Sequence, residues 1–367
     1  MPPAKAKRIR PDSEEEEEEV AVAKTVKWPT TDTKVLVDFK SKTELTLLLE
    51  GITHLLSECT FHIAHGDSEE FSQTKLSSST LRDDKNRNKF SGVYIEAMDT
   101  TLSCIIIAKI NAEVSIDTKS NAPDASDMAF CLPVSTFLTH VKSINANHGV
   151  QLYRTAKSAD LYLRTYSLMS ESHHSRRMTL ATLNKSSPTF KVSDMNYPHT
   201  IEIELNEFRT IIKTAKAINC PNVRIRILET KAKSTKHCSF FIIHVYGENS
   251  YDEHCFCCVS SVNEETKHDG AELRKTIVIR NDLVDEDFSD VKRCQLDEKF
   301  NNVFAVEYLN SFLKALERHT VTLRLAQDQP LTITSSLGNT ESFLAYFLAP
   351  KTDISTVPDF IQSFTTE

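Results

Sequence analysis

Four stretches of the chain carry apolar residues at helical spacing, and runs of alternating apolar and polar residues lie between them. The helical stretches begin near residues 41, 133, 205 and 305. In the last of them Val306, Leu309 and Leu313 share one side of a predicted helix, while Lys314 lies on another side. The alternating runs are typical of half-buried strands, so each helix is predicted to follow one strand and to precede others.

This order of elements occurs twice, which indicates an internal repeat of a module with two helices. Two helices can cover one face of a curved antiparallel sheet, so we predict an α+β fold with two similar domains. The predicted organisation is a disordered charged arm (residues 1–34), a first domain (35–183) with an insertion at about 65–90, a connecting loop (184–198), a second domain (199–351) and a C-terminal tail (352–367).

Composition narrows the class of protein. The 367 residues, 40% of them hydrophobic, suffice for two domains with buried cores. The nine cysteines are scattered, and we see neither a signal peptide nor a long apolar segment, so we expect reduced thiols inside a cell. The seven glycines form no phosphate-binding loop, which disfavours the common nucleotide-binding enzymes. A net charge of −8 argues against a surface that grips nucleic acid everywhere.

The N-terminal arm combines a basic cluster with an acidic run. Lys5, Lys7, Arg8 and Arg10 precede six glutamates at residues 14–19. Such a cluster can act as a nuclear-import signal, and a solvated tail explains it equally well. The sequence assigns no role to this arm or to the C-terminal tail.

Histidine and cysteine residues in the second half raise the question of a zinc site. The candidates are His237, Cys238, His254, Cys255, Cys257 and Cys258. The single residue between Cys255 and Cys257 does not match a zinc knuckle, and core cysteines are far commoner. Motifs of hydrolases and metalloproteases are also missing. We therefore predict no enzyme, catalytic residue, metal or cofactor, and a Cys/His metalloenzyme is the least favoured alternative.

Two parts of the sequence resemble the proliferating cell nuclear antigen (PCNA) family of DNA sliding clamps. The end of the second half contains FAVEYLNSFLKA at residues 304–315 and FLAYFLAPK at 343–351, and the first half contains GVYIEAMDTT at 92–101. The resemblance covers roughly residues 35–351 and implies a DNA-clamp fold that assembles into a homotrimeric ring around duplex DNA. It further implies a processivity factor that is placed on DNA by a clamp loader and tethers a DNA polymerase and other replication and repair enzymes.

The extensions and the divergence look more like a large DNA virus or a distant eukaryote than a standard cellular copy. The expected location is the nucleus or a cytoplasmic viral replication site. Two rival interpretations are a checkpoint-type clamp that forms mixed trimers and a monomeric processivity factor with an open basic face.

Cations opposite the apolar stripes are, by themselves, the ordinary solvated face of amphipathic helices. The resemblance implies instead that every helix faces the hole of the ring. A basic lining attracts phosphates of any sequence, so binding would not depend on base sequence. The predicted DNA-facing residues are Lys142, Arg209, Lys213, Lys216, Lys314 and Arg318.

The resemblance also implies a pocket for partner peptides that end in a hydrophobic and two aromatic residues. It would use residues from the central loop, the connecting loop and the C-terminal end: Met98, Leu102, Phe190, Val192, Met195, Phe347, Leu348, Ala349, Pro350 and Lys351. Leu102 stands where many members have histidine, and the connecting loop lacks the usual Leu-Gly-Ile-Pro run. The peptide preference is therefore open.

Ring closure requires strand edges that pair between copies. By resemblance, an edge at residues 160–166 is expected to add to the strand at residues 239–246 of a neighbour, head to tail. The predicted interface residues are Asp160, Tyr162, Arg164, Tyr166, Phe240, Ile242, His244 and Tyr246. A purely structural alternative assigns Phe240, Ile242 and Val245 to the core.

Overall fold

The computed structural model describes residues 32–39, 41–65, 90–117, 128–167, 176–183, 197–230, 238–246, 251–259, 275–278, 296–314, 316, 319–338 and 342–351. The predicted charged arm, most of the insertion, most of the connecting loop and the tail lie outside these ranges. Below, residues 32–183 are called the first half and residues 197–351 the second half.

Four helices lie where the apolar stripes predict them: α1 (Lys42–Thr53), α2 (Val134–Lys142), α3 (Leu205–Ala217) and α4 (Val306–Lys314). Strands of the first half are β1 (Thr33–Phe39), β2 (Glu58–Ala64), β3 (Gly92–Met98), β4 (Cys104–Asn111), β5 (Glu113–Ile116), β6 (Ala129–Pro133), β7 (His148–Thr155), β8 (Ser158–Ser167) and β9 (Arg176–Leu180). Strands of the second half are β10 (His199–Glu204), β11 (Asn222–Thr230), β12 (Cys238–Tyr246), β13 (Tyr251–Val259), β14 (Lys275–Val278), β15 (Leu296–Ala305), β16 (Thr320–Leu325), β17 (Leu331–Ser336) and β18 (Phe343–Leu348).

The two halves repeat one strand order and share one sheet; they differ at one end strand, since β5 is antiparallel to β1 and β14 is parallel to β10. In the first half the strand orders are β5-β1-β7-β8-β9 and β4-β3-β2-β6, and in the second half they are β14-β10-β16-β17-β18 and β13-β12-β11-β15. Strand β18 pairs antiparallel with β4, so the inner two of these groups form one nine-stranded sheet across both halves. This pairing is called the internal junction below. The two strand orders correspond strand by strand, as an internal repeat predicts.

The helices pack side by side over the sheets, in the order α2, α1, α4, α3. Their apolar stripes join the inward residues of the strands in one core; Leu48 of α1 and Leu309 of α4 are fully buried there. Truncating such a leucine to alanine typically costs about 2–5 kcal/mol. None of the helices in the described ranges is long and apolar enough to span a membrane.

A buried carboxylate connects the first helix to the second half. Ser41 caps α1 by accepting a hydrogen bond from the Thr43 amide at 3.1 Å. The spacing of Ser41 and Glu44 suggests a capping box, but Glu44 is buried and accepts a hydrogen bond from Ser342 Oγ at 2.6 Å. Gly338, at φ +62°, lies against the Glu44 side chain, where an added Cβ would come within 3.0 Å. The sequence spacing therefore predicts the cap but not the partner of the acid.

Candidate functional site

The exposed side of the helix layer carries lysines in the second half. Lys213 and Lys216 on α3 and Lys314 on α4 are exposed, and no ion pair involves them within the described ranges. The apolar stripe of each helix is buried in the core, so helical periodicity turns these lysines toward solvent. Arg318 lies outside the described residues.

Arg209, a fourth predicted DNA-facing residue, is engaged within the protein. Its Nε donates a hydrogen bond to the Leu313 carbonyl at 2.8 Å, and its Nη2 donates to the Leu316 carbonyl. Carbonyls at a helix C-terminus lack partners within the helix and carry partial negative charge, which a guanidinium complements. Arg209 thus joins α3 to the end of α4, and its position corrects the expectation of a cation free to meet phosphates.

Lys142, the DNA-facing residue predicted for the first half, pairs with an acid. Its Nζ lies 2.7 Å from Glu50 Oε1 of α1. The other exposed residues of α2 include Ser135, Thr136 and Thr139, which are uncharged. The exposed lysine of α2 is therefore paired, whereas Lys213, Lys216 and Lys314 of the second half have no ion pair within the described residues.

The central loop between β3 and β4 is organised around the Asp99 carboxylate. Oδ1 accepts hydrogen bonds from the Ser103 and Cys104 amides at 2.8 and 2.7 Å. Oδ2 accepts from Thr101 Oγ1 at 2.5 Å and from Tyr308 Oη of α4 at 2.6 Å. Burial alone would raise the pKa of Asp99, but these hydrogen bonds outweigh burial and lower it. A charged carboxylate thus fixes the loop and ties it to the second half.

Leu102 projects from this loop beside the C-terminal end of the fold. It has φ +59°, rare for a branched side chain, and is 74% exposed. The Ala349 amide donates to the Ser103 carbonyl at 2.9 Å, which brings the C-terminal end next to the loop. An exposed leucine in this backbone conformation offers an apolar contact to a partner.

Strand β9 ends the five-stranded sheet of the first half, and β13 ends the four-stranded sheet of the second half; the opposite ends of these sheets are β5 and β15. The strands β9 and β13 are called the free edges below. Strand β9 pairs with β8 on one side only, and β13 pairs with β12 on one side only within the described residues. Arg177 of β9 lies over the ring of Tyr162, 4.0 Å from its centroid. These edges carry charge of opposite sign, with Arg176 and Arg177 on β9 and Asp252 and Glu253 on β13.

A polar cluster lies beside the β13 edge. His244 Nδ1 is 2.8 Å from Tyr251 Oη and 3.2 Å from Glu253 Oε2, and Tyr251 Oη donates to Glu253 Oε2 at 2.5 Å. Burial lowers the pKa of His244 to about 4; Glu253 opposes this shift, and Arg226 and Arg224 add to it. The imidazole is therefore neutral at pH 7.

Solved structures share this architecture. A PCNA from Entamoeba histolytica has a TM-score of 0.56 and 13% identity, covering 87% of this chain and 99% of that chain. PCNA from Thermococcus kodakaraensis also has a TM-score of 0.56 and 13% identity, with 86% and 100% covered. A PCNA2–PCNA3 complex from Sulfolobus tokodaii gives 0.53 and 11%, with 86% and 99% covered. Likeness at such low identity shows the fold alone.

The C-terminal part of the sequence supplies independent support. Residues 267–351 match the family model described as proliferating cell nuclear antigen, C-terminal domain. The chain is PCNA-like in sequence over residues 267–351 and in fold over most of its length. Its helices and antiparallel sheets form the DNA-clamp fold that the sequence predicts. The sequence matches no curated protein.

One prediction for the PCNA-like chain is wrong at the level of the strands. The expected edges at residues 160–166 and 239–246 belong to β8 and β12, which are hydrogen-bonded on both sides. Five of the predicted residues are paired on both sides, so their backbones cannot pair with a neighbour: Tyr162, Arg164, Phe240, Ile242 and His244. The other three lie at or near the ends of the same two strands: Asp160, Tyr166 and Tyr246. Phe240 and Ile242 are buried with Leu228 and Leu296 nearby, as the structural alternative expects for these two residues.

The predicted peptide pocket is brought together in part. Met98 and Leu102 come from the central loop region, and Ala349, Pro350 and Lys351 are at least partly exposed at the C-terminal end. Phe347 and Leu348 are 2% and 1% exposed, so in this chain they support the site from within. Phe190, Val192 and Met195 lie outside the described residues.

Sequence reasoning missed several residues that the structure places at these sites. Tyr308 has no motif that relates it to Asp99, since the two are distant in sequence. The pairs Arg176-Arg177 and Asp252-Glu253 are visible in the sequence, but their meaning depends on which strands are edges. Of the zinc candidates, His237 is outside the described residues, and no group of three ligand-type side chains in the described ranges could hold a metal.

Proposed function

We propose that this PCNA-like chain is the subunit of a DNA sliding clamp, a homotrimeric ring that encircles duplex DNA. The ring would tether a DNA polymerase and other enzymes that carry clamp-binding peptides, and a clamp loader would place it on DNA. Such a role needs positioning and topology and no chemistry of its own.

The observation that carries this proposal is the relation between the internal junction and the two free edges. At the internal junction the last strand of the second half, β18, pairs with β4 of the first half. The repeat makes β9 the counterpart of β18 and β13 the counterpart of β4. Both counterparts are free edges, so one copy can join the next head to tail by the contact that already joins the halves.

The helix layer supports the DNA-binding part of the proposal. Lys213, Lys216 and Lys314 lie on the face that a ring of this fold would turn toward its hole. They would meet backbone phosphates, which occur at one charge per roughly 1.7 Å of duplex axis whatever the sequence. These three lysines, which have no ion pair in the part of the chain that the structure describes, would attract DNA without fixing it, because retention would come from encirclement.

The central loop and the C-terminal end support the partner-binding part. Asp99 holds the loop in one conformation, and Leu102 stands exposed beside Ala349. An exposed apolar side chain on a rigid loop suits docking of a short hydrophobic peptide, because little order is lost on binding.

The decisive experiment combines mass with topology. The mass in solution should correspond to three copies. The protein is then incubated with linear duplex DNA whose ends carry biotin, and streptavidin is added to half of the samples. At high salt, capped DNA should retain the protein and uncapped DNA should lose it, because salt weakens phosphate contacts but not encirclement.

Each contrary result has a distinct meaning. A single copy that binds DNA regardless of end capping would favour the monomeric factor with an open basic face. A chain that assembles only when mixed with a different clamp subunit would favour the mixed trimer.

A further inference from the structure

We propose that the junction between copies places Arg177 of one copy directly opposite Glu253 of the next, so that a cross-strand ion pair selects a second copy of this same chain. The proposal rests on the proposed ring. Its register comes from the internal junction, because the repeated halves let each free strand be matched with its counterpart residue by residue.

The first match concerns β9 and β18. Val150 and Val321 are the first buried side chains of the strand that follows the second helix in each half, and each stands opposite the last inward residue of the first strand, Phe39 or Ile203. The next inward row of the first half runs Leu152, Leu163, Met178. That of the second half runs Leu323, Ile333, Tyr346. Met178 therefore corresponds to Tyr346, and Arg177 corresponds to Ala345.

The second match concerns β13 and β4. Phe130 and Asn302 each lie in the strand that leads into the second helix, at the same distance before its first residue. The row of Phe130 runs through Phe61 and Ile95 to Ala108. The row of Asn302 runs through Ile225 and Ile243 to His254. Glu253 therefore corresponds to Ile107.

The register of the internal junction then predicts the register of the junction between copies. Ala345 stands directly opposite Ile107. Replacing each residue by its counterpart puts Arg177 opposite Glu253. One position further along each strand on the same face, Phe347 opposite Ile105 becomes Thr179 opposite Tyr251.

The side chains involved are already arranged for this contact. Arg177 is held over the ring of Tyr162, 4.0 Å from its centroid, on the sheet face away from the helices. Glu253 is held by Tyr251 and His244 on the corresponding face of β13. Tyr251 is 43% exposed, one of two large hydrophobic side chains exposed to this degree in the described ranges. Pairing would cover its ring.

The two junctions differ in chemistry. At the internal junction Ile107 and Ala345 are 3% and 0% exposed and pack with Phe347. At the free edges the corresponding positions hold opposite charges. Opposite charges that face each other across two strands stabilise the pairing, whereas like charges destabilise it. The chain's own edges complement each other, which favours identical copies, and an ionic contact makes assembly sensitive to salt.

Charge reversal with compensation tests the pairing. Sedimentation velocity over a concentration series gives the midpoint of assembly for the full-length chain and for Arg177→Glu, Glu253→Arg and the double variant. Each single change should raise the midpoint concentration on the order of tenfold, since like charges then face each other. The double variant should return to within about threefold of wild type. Lys157→Glu reverses an exposed charge in the turn between β7 and β8, 3.6 Å from Asp32 Oδ2 of the same copy, and is the matched control. It should leave the midpoint of assembly unchanged.

Far-UV circular dichroism and thermal unfolding establish that each variant is folded. If wild type forms trimers but both single variants assemble normally, the register is wrong and the ring stands. If the folded double variant assembles no better than the single ones, direct opposition is likewise refuted. If wild type itself stays a single copy at all concentrations, the proposed ring fails and this junction fails with it.

Discussion

The two halves share a strand order but present different helix faces. In the first half, α1 is flanked by α2 and α4, and most of its residues are buried, including Leu47 and Leu49. In the second half, α3 lies at the end of the row and exposes Lys213 and Lys216. Of these two corresponding helices, α1 thus contributes mainly to packing between the halves, whereas α3 presents exposed lysines.

The ion pairing of basic residues also differs between the two halves. Lys142 in the first half is paired with Glu50, whereas Lys314 at the corresponding end of α4 has no ion pair among the described residues. A paired lysine adds little net attraction for a polyanion, since its partner repels phosphates. Corresponding positions in the two halves therefore need not have the same role. We expect the attraction for DNA to come mainly from the second half.

The largest expected effect comes from removing the unpaired lysines. Lys213→Ala, Lys216→Ala and Lys314→Ala in one chain should lower duplex affinity on the order of tenfold or more at moderate salt, because three phosphate contacts per copy are lost. Fluorescence anisotropy at several salt concentrations should also give a shallower dependence of affinity on salt.

The matched control for this prediction is Lys142→Ala, which removes the same charge from the other half. It should leave affinity nearly unchanged, and the trimer should persist in both variants. Equal losses from Lys142→Ala and from single changes in the second half would refute the asymmetry.

Arg209→Ala is expected to have a smaller effect, and to change the stability of the fold instead of the affinity for DNA. Loss of its bonds to the Leu313 and Leu316 carbonyls should lower the free energy of unfolding by about 2 kcal/mol, measured by urea denaturation. Duplex affinity per folded molecule should change far less than with the lysine variants. A stable Arg209→Ala protein with weak DNA binding would instead return this residue to the DNA-facing set.

The smallest expected effect is on the pH dependence of stability, and its direction differs between the two halves. His244, with a pKa lowered by burial to about 4, binds protons less readily in the folded chain than in the unfolded one. Its contribution to stability is therefore lost as pH falls from about 6.5 toward 4. Urea denaturation at several pH values should show His244→Gln losing less stability than wild type over this range.

The counterpart of His244 in the first half is Glu96, whose pKa is raised by burial. Its contribution is present below its ordinary pKa and is lost as pH rises through the raised value. Glu96→Gln should therefore gain stability relative to wild type toward neutral pH. Parallel pH profiles for wild type and both variants would contradict these assignments.

Much of the fold could be predicted from local pattern. The stripe of Val306, Leu309 and Leu313 predicts α4 because helical periodicity can be recognised from residues that lie close together in the sequence. The sequence pattern does not predict the start of β15 at Leu296, since residues 297–299 are polar and exposed and show no apolar alternation. The candidate site was less predictable, because Arg209 finds its carbonyl partners about one hundred residues away along the chain.

Thus the sequence by itself determined the periodic elements, their repetition and the PCNA-like resemblance, because each is a property of neighbouring residues. Tertiary structure alone decided that β9 and β13 are edges, that Glu44 meets Ser342, and that Lys142 is paired while Lys213 is not. These outcomes depend on which surfaces face one another after the chain has folded, and contacts between residues far apart in sequence leave no local pattern.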